Sequence, residues 1–189
     1  MFVRTLILVC LTWGLPNLSV ARSLDINISD DALRSSYSRD QMIPVLGDAR
    51  MEFGFAVNDN DDLLGSAGLA VFGGPVGDKA LEWSLGARVY TGSFSSSREL
   101  LAFALGGNVR FSPDSAARFG LSFGTYYAPK IVSFSDSEGY LESELSVDYK
   151  LFDSTRVYLG WQRIKADFAP SKGDVTFAEG AMVGVRIGF

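Results

Sequence analysis

The feature that most narrows what this chain can fold into is the spacing of its apolar residues, which return at every second position in one segment after another. Leu81, Trp83, Leu85, Ala87 and Val89 share one side of an extended segment. So do Leu101, Phe103, Leu105 and Val109; Phe119, Leu121 and Phe123; Leu141, Leu145, Val147, Tyr149 and Leu151; and Val183, Val185, Ile187 and Phe189. Side chains two apart along a strand point the same way, whereas a helix repeats every 3.6 residues. No long window carries the helical period, and 20 glycines with 13% aromatics suit strands joined by turns. The predicted class is all-β.

Nine segments carry the pattern: a hairpin-like Leu24–Ser38 turning at Asp30-Asp31, then Ala49–Val57, Leu63–Phe72, Leu81–Thr91, Leu100–Phe111, Arg118–Tyr127, Tyr140–Leu151, Arg156–Ile164 and Val175–Phe189. The opposite faces carry Glu82, Ser84, Gly86, Arg88 and Tyr90; Asn108 and Arg110; Ser122, Gly124 and Tyr126; Glu142, Glu144, Ser146, Asp148 and Lys150; and Glu179, Gly184, Arg186 and Gly188. These faces mix charges of both signs with small residues.

Two architectures give such alternation. A soluble sandwich or lipocalin-like barrel turns the apolar face inward; a transmembrane barrel turns it onto lipid and keeps the polar face in the lumen. Three features favour the membrane. Segments of about 10–12 residues, tilted about 45°, cross close to a 25 Å apolar band. The polar faces are built of Gly, Ala and Ser between single charges, as a narrow packed interior requires. Aromatics stand near strand ends (Trp83, Phe111, Phe119, Tyr127, Tyr149, Phe177 and Phe189), where interfacial girdles form.

The connections differ by side. GGPVGDK, SPDSA and FDST carry turn residues on one side; GSFSSSRE, APKIVSFSDSEG and KADFAPSKGD, mostly longer and polar, lie on the other with the shorter NDNDD. Counting back from Phe189 with that terminus in the periplasm, the segments from Ala49 onward close an even barrel of eight strands. Residues 22–48 are then a plug or a segment outside the wall, or a hairpin that makes ten. The short arms favour eight, with ten as the alternative.

Residues 1–21 have one charge, Arg4, before an apolar run from Leu6 to Leu15, and end in Ser19-Val20-Ala21. This is the pattern of a secretory signal cleaved after Ala21; the run is too short for a spanning helix, which needs roughly 18 apolar residues. The chain has 0 His, and its single Cys, Cys10, lies in that segment. Disulfides, zinc or copper sites of the usual kind and His-activated nucleophiles are therefore excluded from the exported chain. The full sequence's net charge of −5, with no basic stripe, argues against nucleic-acid binding.

The stretch SLDINISDDALRSSYSRD, residues 23–40, resembles the N-terminal signature of the YfaZ family of Gram-negative outer-membrane proteins, and the Gly/aromatic strands ending in GVRIGF look like that family over the exported length. The resemblance implies an outer-membrane β-barrel, and the family's members are regarded as predicted porins. It carries over no catalytic residue. The terminal Phe189 also resembles the signal that outer-membrane barrels present to their assembly machinery.

Candidate site residues follow from the polar faces. Glu82, Arg88, Arg110, Glu142, Glu144, Asp148, Lys150, Arg156 and Arg186 are expected to line the lumen, either paired structurally or setting the selectivity of a pore. NDNDD, residues 58–62, is expected to be a solvated turn, with divalent ions bridging it to lipopolysaccharide phosphates as the alternative. Arg34 and Arg39 are placed near an outer loop, within reach of lipid phosphates. With no His, no enzyme is expected, and no cofactor is. The first function expected is a porin-like channel for small polar solutes or ions; the second is a non-conducting structural or surface-interaction barrel contacting lipopolysaccharide through its outer loops. The expected partners are outer-membrane lipids, lipopolysaccharide and the barrel-assembly machinery. An eight-stranded barrel is just wide enough for its side chains to fill, which weighs against an open channel.

Overall fold

The computed structural model describes residues 22–45, 47–73, 80–95, 97–169 and 173–189. The signal segment 1–21 and most of the GGPVGDK turn lie outside these residues. The strands are β1 (Arg22–Ser29), β2 (Ala32–Ile43), β3 (Gly47–Asn58), β4 (Leu63–Gly73), β5 (Leu81–Phe94), β6 (Arg98–Phe111), β7 (Phe119–Ala128), β8 (Ser133–Ser135), β9 (Ser137–Phe152), β10 (Thr155–Phe168) and β11 (Val175–Gly188). They pair antiparallel in the order β5-β4-β3-β2-β1-β11-β10-β9-β7-β6, and a β5–β6 pairing closes the sheet on itself. The short β8 pairs with Leu100–Ala102 of β6, extending the wall above β7 without adding to the ring. The result is a closed barrel of ten strands.

The preference for eight strands is therefore corrected. The residues expected to form a plug or an outlying segment instead enter the wall as β1 and β2. β1 pairs with β11 on one side, from Ser23↔Gly188 to Ser29↔Met182, and with β2 on the other. β2 runs on to Ile43, so its arm is 12 residues rather than the short one read up to Ser38. The seam is closed at its end by a reciprocal backbone pair: Phe189 N–H donates to the Arg22 carbonyl (2.9 Å) and Arg22 N–H to that of Phe189 (3.2 Å). Closure removes the exposed edges that would otherwise invite mispairing.

One end of the barrel carries both ends of this seam and the turns before β3, β5, β7 and β10. It is called the termini end here, and the other, with the remaining connections, the loop end. The apolar rows face outward around the wall: Leu85, Leu105, Leu159 and Val183 are all more than half exposed. Phe119 and Tyr149, whose rings are 4.9 Å apart, belong to an aromatic set that includes Trp83, Phe111 and Phe189 at the termini end. Phe177 is a correction. Thr176 pairs with Lys165 and Ala178 with Ile164, so Phe177 is the extra residue of a bulge. It turns inward and is 1% exposed. Glu179, expected inward, lies outside at 3.5 Å from Arg163; its odd position opposes Arg186 and Gly184. Among the described residues no helix is long and apolar enough to cross a membrane.

Candidate functional site

The inward face changes character along the barrel. At the loop end it is apolar: Leu64, Phe94, Leu100, Ala102, Ala104, Ile164, Ala166, Phe168 and Phe177 are nearly inaccessible and form one packed cluster. Phe94 sits edge-on to Phe168 and Phe177 at centroid distances of 5.3 and 6.1 Å, an arrangement aromatic rings prefer. Below this seal, Tyr90 and Tyr140 stack with centroids 4.1 Å apart. The local sequences explain the seal. Leu100–Leu105 places apolar or small residues on the inward parity as well as the outward one, and Ile164–Phe168 puts Ile164, Ala166 and Phe168 inward with Lys165 and Asp167 outward, so the polar-inside rule fails in this half.

Beneath the tyrosines a charged layer spans the lumen. Glu142 on β9 accepts a hydrogen bond from Arg34 Nη2 on β2 at 2.7 Å, one from Arg88 Nη1 on β5 at 3.2 Å and one from the Tyr140 hydroxyl at 3.0 Å. Arg88 also pairs with Glu52 on β3 and lies 3.8 Å over the ring of Tyr126. Arg88 reaches β3 by passing over β4 at Gly68, where a Cβ would collide with its Cγ. Arg110 reaches Asp148 in the same way over β7, through the gap at Gly120, in a two-toothed contact of 3.1 and 3.0 Å. Arg156 completes that pair at 2.7 Å. Near the seam, Asp25 accepts from the Tyr158 hydroxyl at 2.5 Å and from Arg186 Nε at 2.8 Å.

Between these struts and the termini end lies a chamber of about 180 Å³, lined by charged groups of both signs and by Ser36, Ser66, Ser84 and Ser122. Glu82 and Asn108 face inward yet are exposed, which places the opening at the termini end. A ring of ten strands has more room than one of eight, whose interior side chains suffice to fill it. The hairpin that was expected outside the wall thus widens the lumen and supplies six lining residues, Ser23, Asp25, Asn27, Arg34, Ser36 and Ser38.

Of the residues expected in the lumen, Arg88, Arg110, Glu142, Asp148, Arg156 and Arg186 form the paired struts, and Glu144 lines the chamber. Glu82 stands at the mouth, 3.8 Å from Arg110. Lys150 is directed to the turn, where it meets Asp153 at 2.8 Å. Arg34 is not a loop residue but a central strut, and Arg39 sits towards the termini end, opposite Met51. Asp25, Glu52, Asn27 and Tyr158 were not singled out from the sequence. The alternation of DINIS puts Asp25 and Asn27 on the polar parity, which is the signal in the sequence that marks them as lumen residues. In NDNDD, Asn58 Oδ1 accepts from the backbone N–H of Asn60 and Asp62, and Asp62 Oδ1 accepts from the Ser95 N–H and hydroxyl. Those oxygens serve their own turn and the neighbouring hairpin.

The family model described as YfaZ precursor matches residues 46–189, and the chain belongs to that family. The 23–40 signature lies outside the matched stretch. No curated protein matches the chain. Among solved structures, the chain is similar to one described as "Unveiling the Mechanism Behind the in-meso Crystallization of Membrane Proteins" (10% identity, 90% of this chain and 83% of that one, TM-score 0.45). It is also similar to a "Bacterial polysaccharide outer membrane secretin" (6% identity, 92% and 66%, TM-score 0.43) and to a mutant of the Rh. blastica porin (11%, 90% and 98%, TM-score 0.22). Likeness this distant says nothing about what passes through any of them.

Proposed function

We propose that this YfaZ-family chain is an integral β-barrel of the outer membrane, with its loop end outward and its termini end in the periplasm, and that its lumen is a one-ended polar chamber rather than a through-pore. The observation that carries the second half of this reading is the change of the inward face from charged to apolar along the barrel, ending in the packed aromatic seal. The outward apolar belt, the aromatic set at the termini end and the length of nine of the ten wall strands, 10–16 residues against 8 for β1, support the first half. Such strands, rising roughly 3.3 Å per residue and tilted about 45°, are long enough for the apolar core of a bilayer. In this reading the outer loops meet lipopolysaccharide, and Phe189 is offered to the assembly machinery.

A porin-like channel for small polar solutes or ions is the second reading. The mixed-charge lining of the lower lumen favours it, since such linings set selectivity where a path is open. It requires Tyr90, Tyr140 and the phenylalanine seal to move aside. Planar bilayers separate the two: silence of the purified protein across voltage and salt supports the chamber, and a reproducible single-channel step selects the channel. Recovery from cells as a soluble periplasmic monomer, with no difference in gel mobility between unheated and boiled samples, would overturn the membrane location.

A further inference from the structure

The ion pairs of the chamber leave one carboxylate out. Its lining carries five guanidinium groups (Arg34, Arg50, Arg88, Arg110 and Arg186) and five carboxylates (Asp25, Glu52, Glu82, Glu142 and Glu144). Arg50 is taken by Asp40, and Arg110 by Asp148 and Glu82. Asp25 is taken by Arg186, Glu52 by Arg88, and Glu142 by Arg34 and Arg88. Glu144 lines the chamber, and no cation of the described residues lies within ion-pair distance of it. The charged groups that face it are Arg34, Asp25, Arg186 and Glu142. Arg34 is paired with Glu142 through Nη2, its Nη1 making no hydrogen bond, and Arg186 is paired with Asp25. A carboxylate removed from bulk water without a partner is costly. A second group in the same chamber is also unsatisfied: Asn27, 3% exposed, has an Oδ1 that accepts no hydrogen bond.

We propose that the chamber is a binding site for a small organic cation with N–H donors, a primary ammonium, entering from the termini end, with Glu144 as counter-ion and Asn27 Oδ1 as a second acceptor. An ammonium group brings one positive charge and three donors, which matches one unpaired carboxylate, one free amide oxygen and the hydroxyl of Ser36 nearby on the chamber wall. A cavity needs only about 10–15 Å³ to hold a water, so about 180 Å³ admits a small organic solute together with solvent. The inference rests on the one-ended chamber proposed above. It is tested in detergent, so loss of binding with silent bilayers refutes this inference alone, and conduction with intact binding refutes only the closed lumen.

The test is calorimetric titration of the purified barrel in neutral micelles at low salt, with ethylammonium as probe, tetramethylammonium as a cation without donors and ethanol as a neutral analogue. Saturable binding of ethylammonium is expected, with both comparators markedly weaker. Glu144→Gln should weaken ethylammonium by roughly thirtyfold or more, the loss typical of removing one partner of a desolvated charge pair. Asn27→Asp should tighten it, and this variant carries the test if Glu144→Gln does not fold by gel mobility. Equal binding of ethanol, no saturable binding, an unchanged Glu144→Gln, or an infrared band of a protonated carboxyl that disappears in Glu144→Gln would each overturn the site.

Discussion

Arg34 on β2 and Glu142 on β9 meet at 2.7 Å across the lumen, although β1, β11 and β10 stand between their strands in the wall. Neither side chain is more than slightly accessible, so the contact ties opposite walls where water cannot replace either partner. Replacing Arg34 by Met leaves Glu142 with Arg88 as its only guanidinium. The expected cost is about 3 kcal/mol, from an under-compensated buried charge. Adding Glu142→Leu should recover part of it. The check is a double-mutant cycle on the urea midpoint of the folded band in unheated gels; strictly additive effects would mean that the pair is not coupled.

The seal makes a separate prediction. Phe94→Ala should destabilise by about 3–5 kcal/mol, the range for removing a buried ring. Replacing Tyr90 and Tyr140 together by Ala, with Phe94 also shortened, should produce single-channel steps in a bilayer where the wild-type protein is silent. A folded triple variant that stays silent would show that these rings do not close the lumen.

Leu159 tests which solvent the wall faces. It is 65% exposed and points outward near the middle of β10. Leu159→Arg should cost about 2–4 kcal/mol in a bilayer if it lies near the midplane. On a water-facing wall the same change should fall within about 0.5 kcal/mol. Equilibrium unfolding from lipid vesicles measures the difference.

Gly120 should resist even Ala. A Cβ there would overlap Arg110 Nη2 and Asp148 Oδ1, so the two-toothed contact over β7 would be lost. The expected cost is about 2–3 kcal/mol, that of a charged hydrogen-bonded contact. Gly188→Ala is the control: nothing lies closer than 3.7 Å to a Cβ at that position, and little change is expected.

The turn between β9 and β10 gives a pH prediction. The Lys150 ammonium beside Asp153 holds its carboxyl below the usual aspartate value. A carboxyl whose folded value is depressed contributes stability above its unfolded value, near 3.9, and loses it as pH falls through the lower folded value. Because Asp153 is fully exposed the effect on stability should be small. Carbon-detected NMR in micelles should find Asp153 titrating low, and Lys150→Gln should return it to the ordinary value.

Much of the wall was legible in the sequence because a strand repeats every two residues and a barrel needs one solvent on each face. Leu81 to Val89 and Leu141 to Leu151 announced the outward rows, and Glu142, Asp148, Arg88 and Arg110 the inward charges. Residues 22–48 were misjudged because the β1 arm is only 8 residues long, and length alone does not say whether an arm is paired on both sides. Phe177 was misassigned because a bulge shifts parity by one residue, which no periodic count detects.

The sequence by itself determined an all-β chain with apolar and polar faces, the places of its turns and the charges available to its interior. Those properties are local: they follow from which side chains alternate along one strand. Only the tertiary structure decided that ten strands close, that β1 completes the ring against β11, and that Glu52, Gly68 and Arg88 fall in line across three strands. It also decided that apolar residues from β3, β4, β5, β6, β9, β10 and β11 converge to seal one end while one carboxylate, Glu144, is left over below. Register and closure set these relations, since they fix which distant residues share a depth in the barrel.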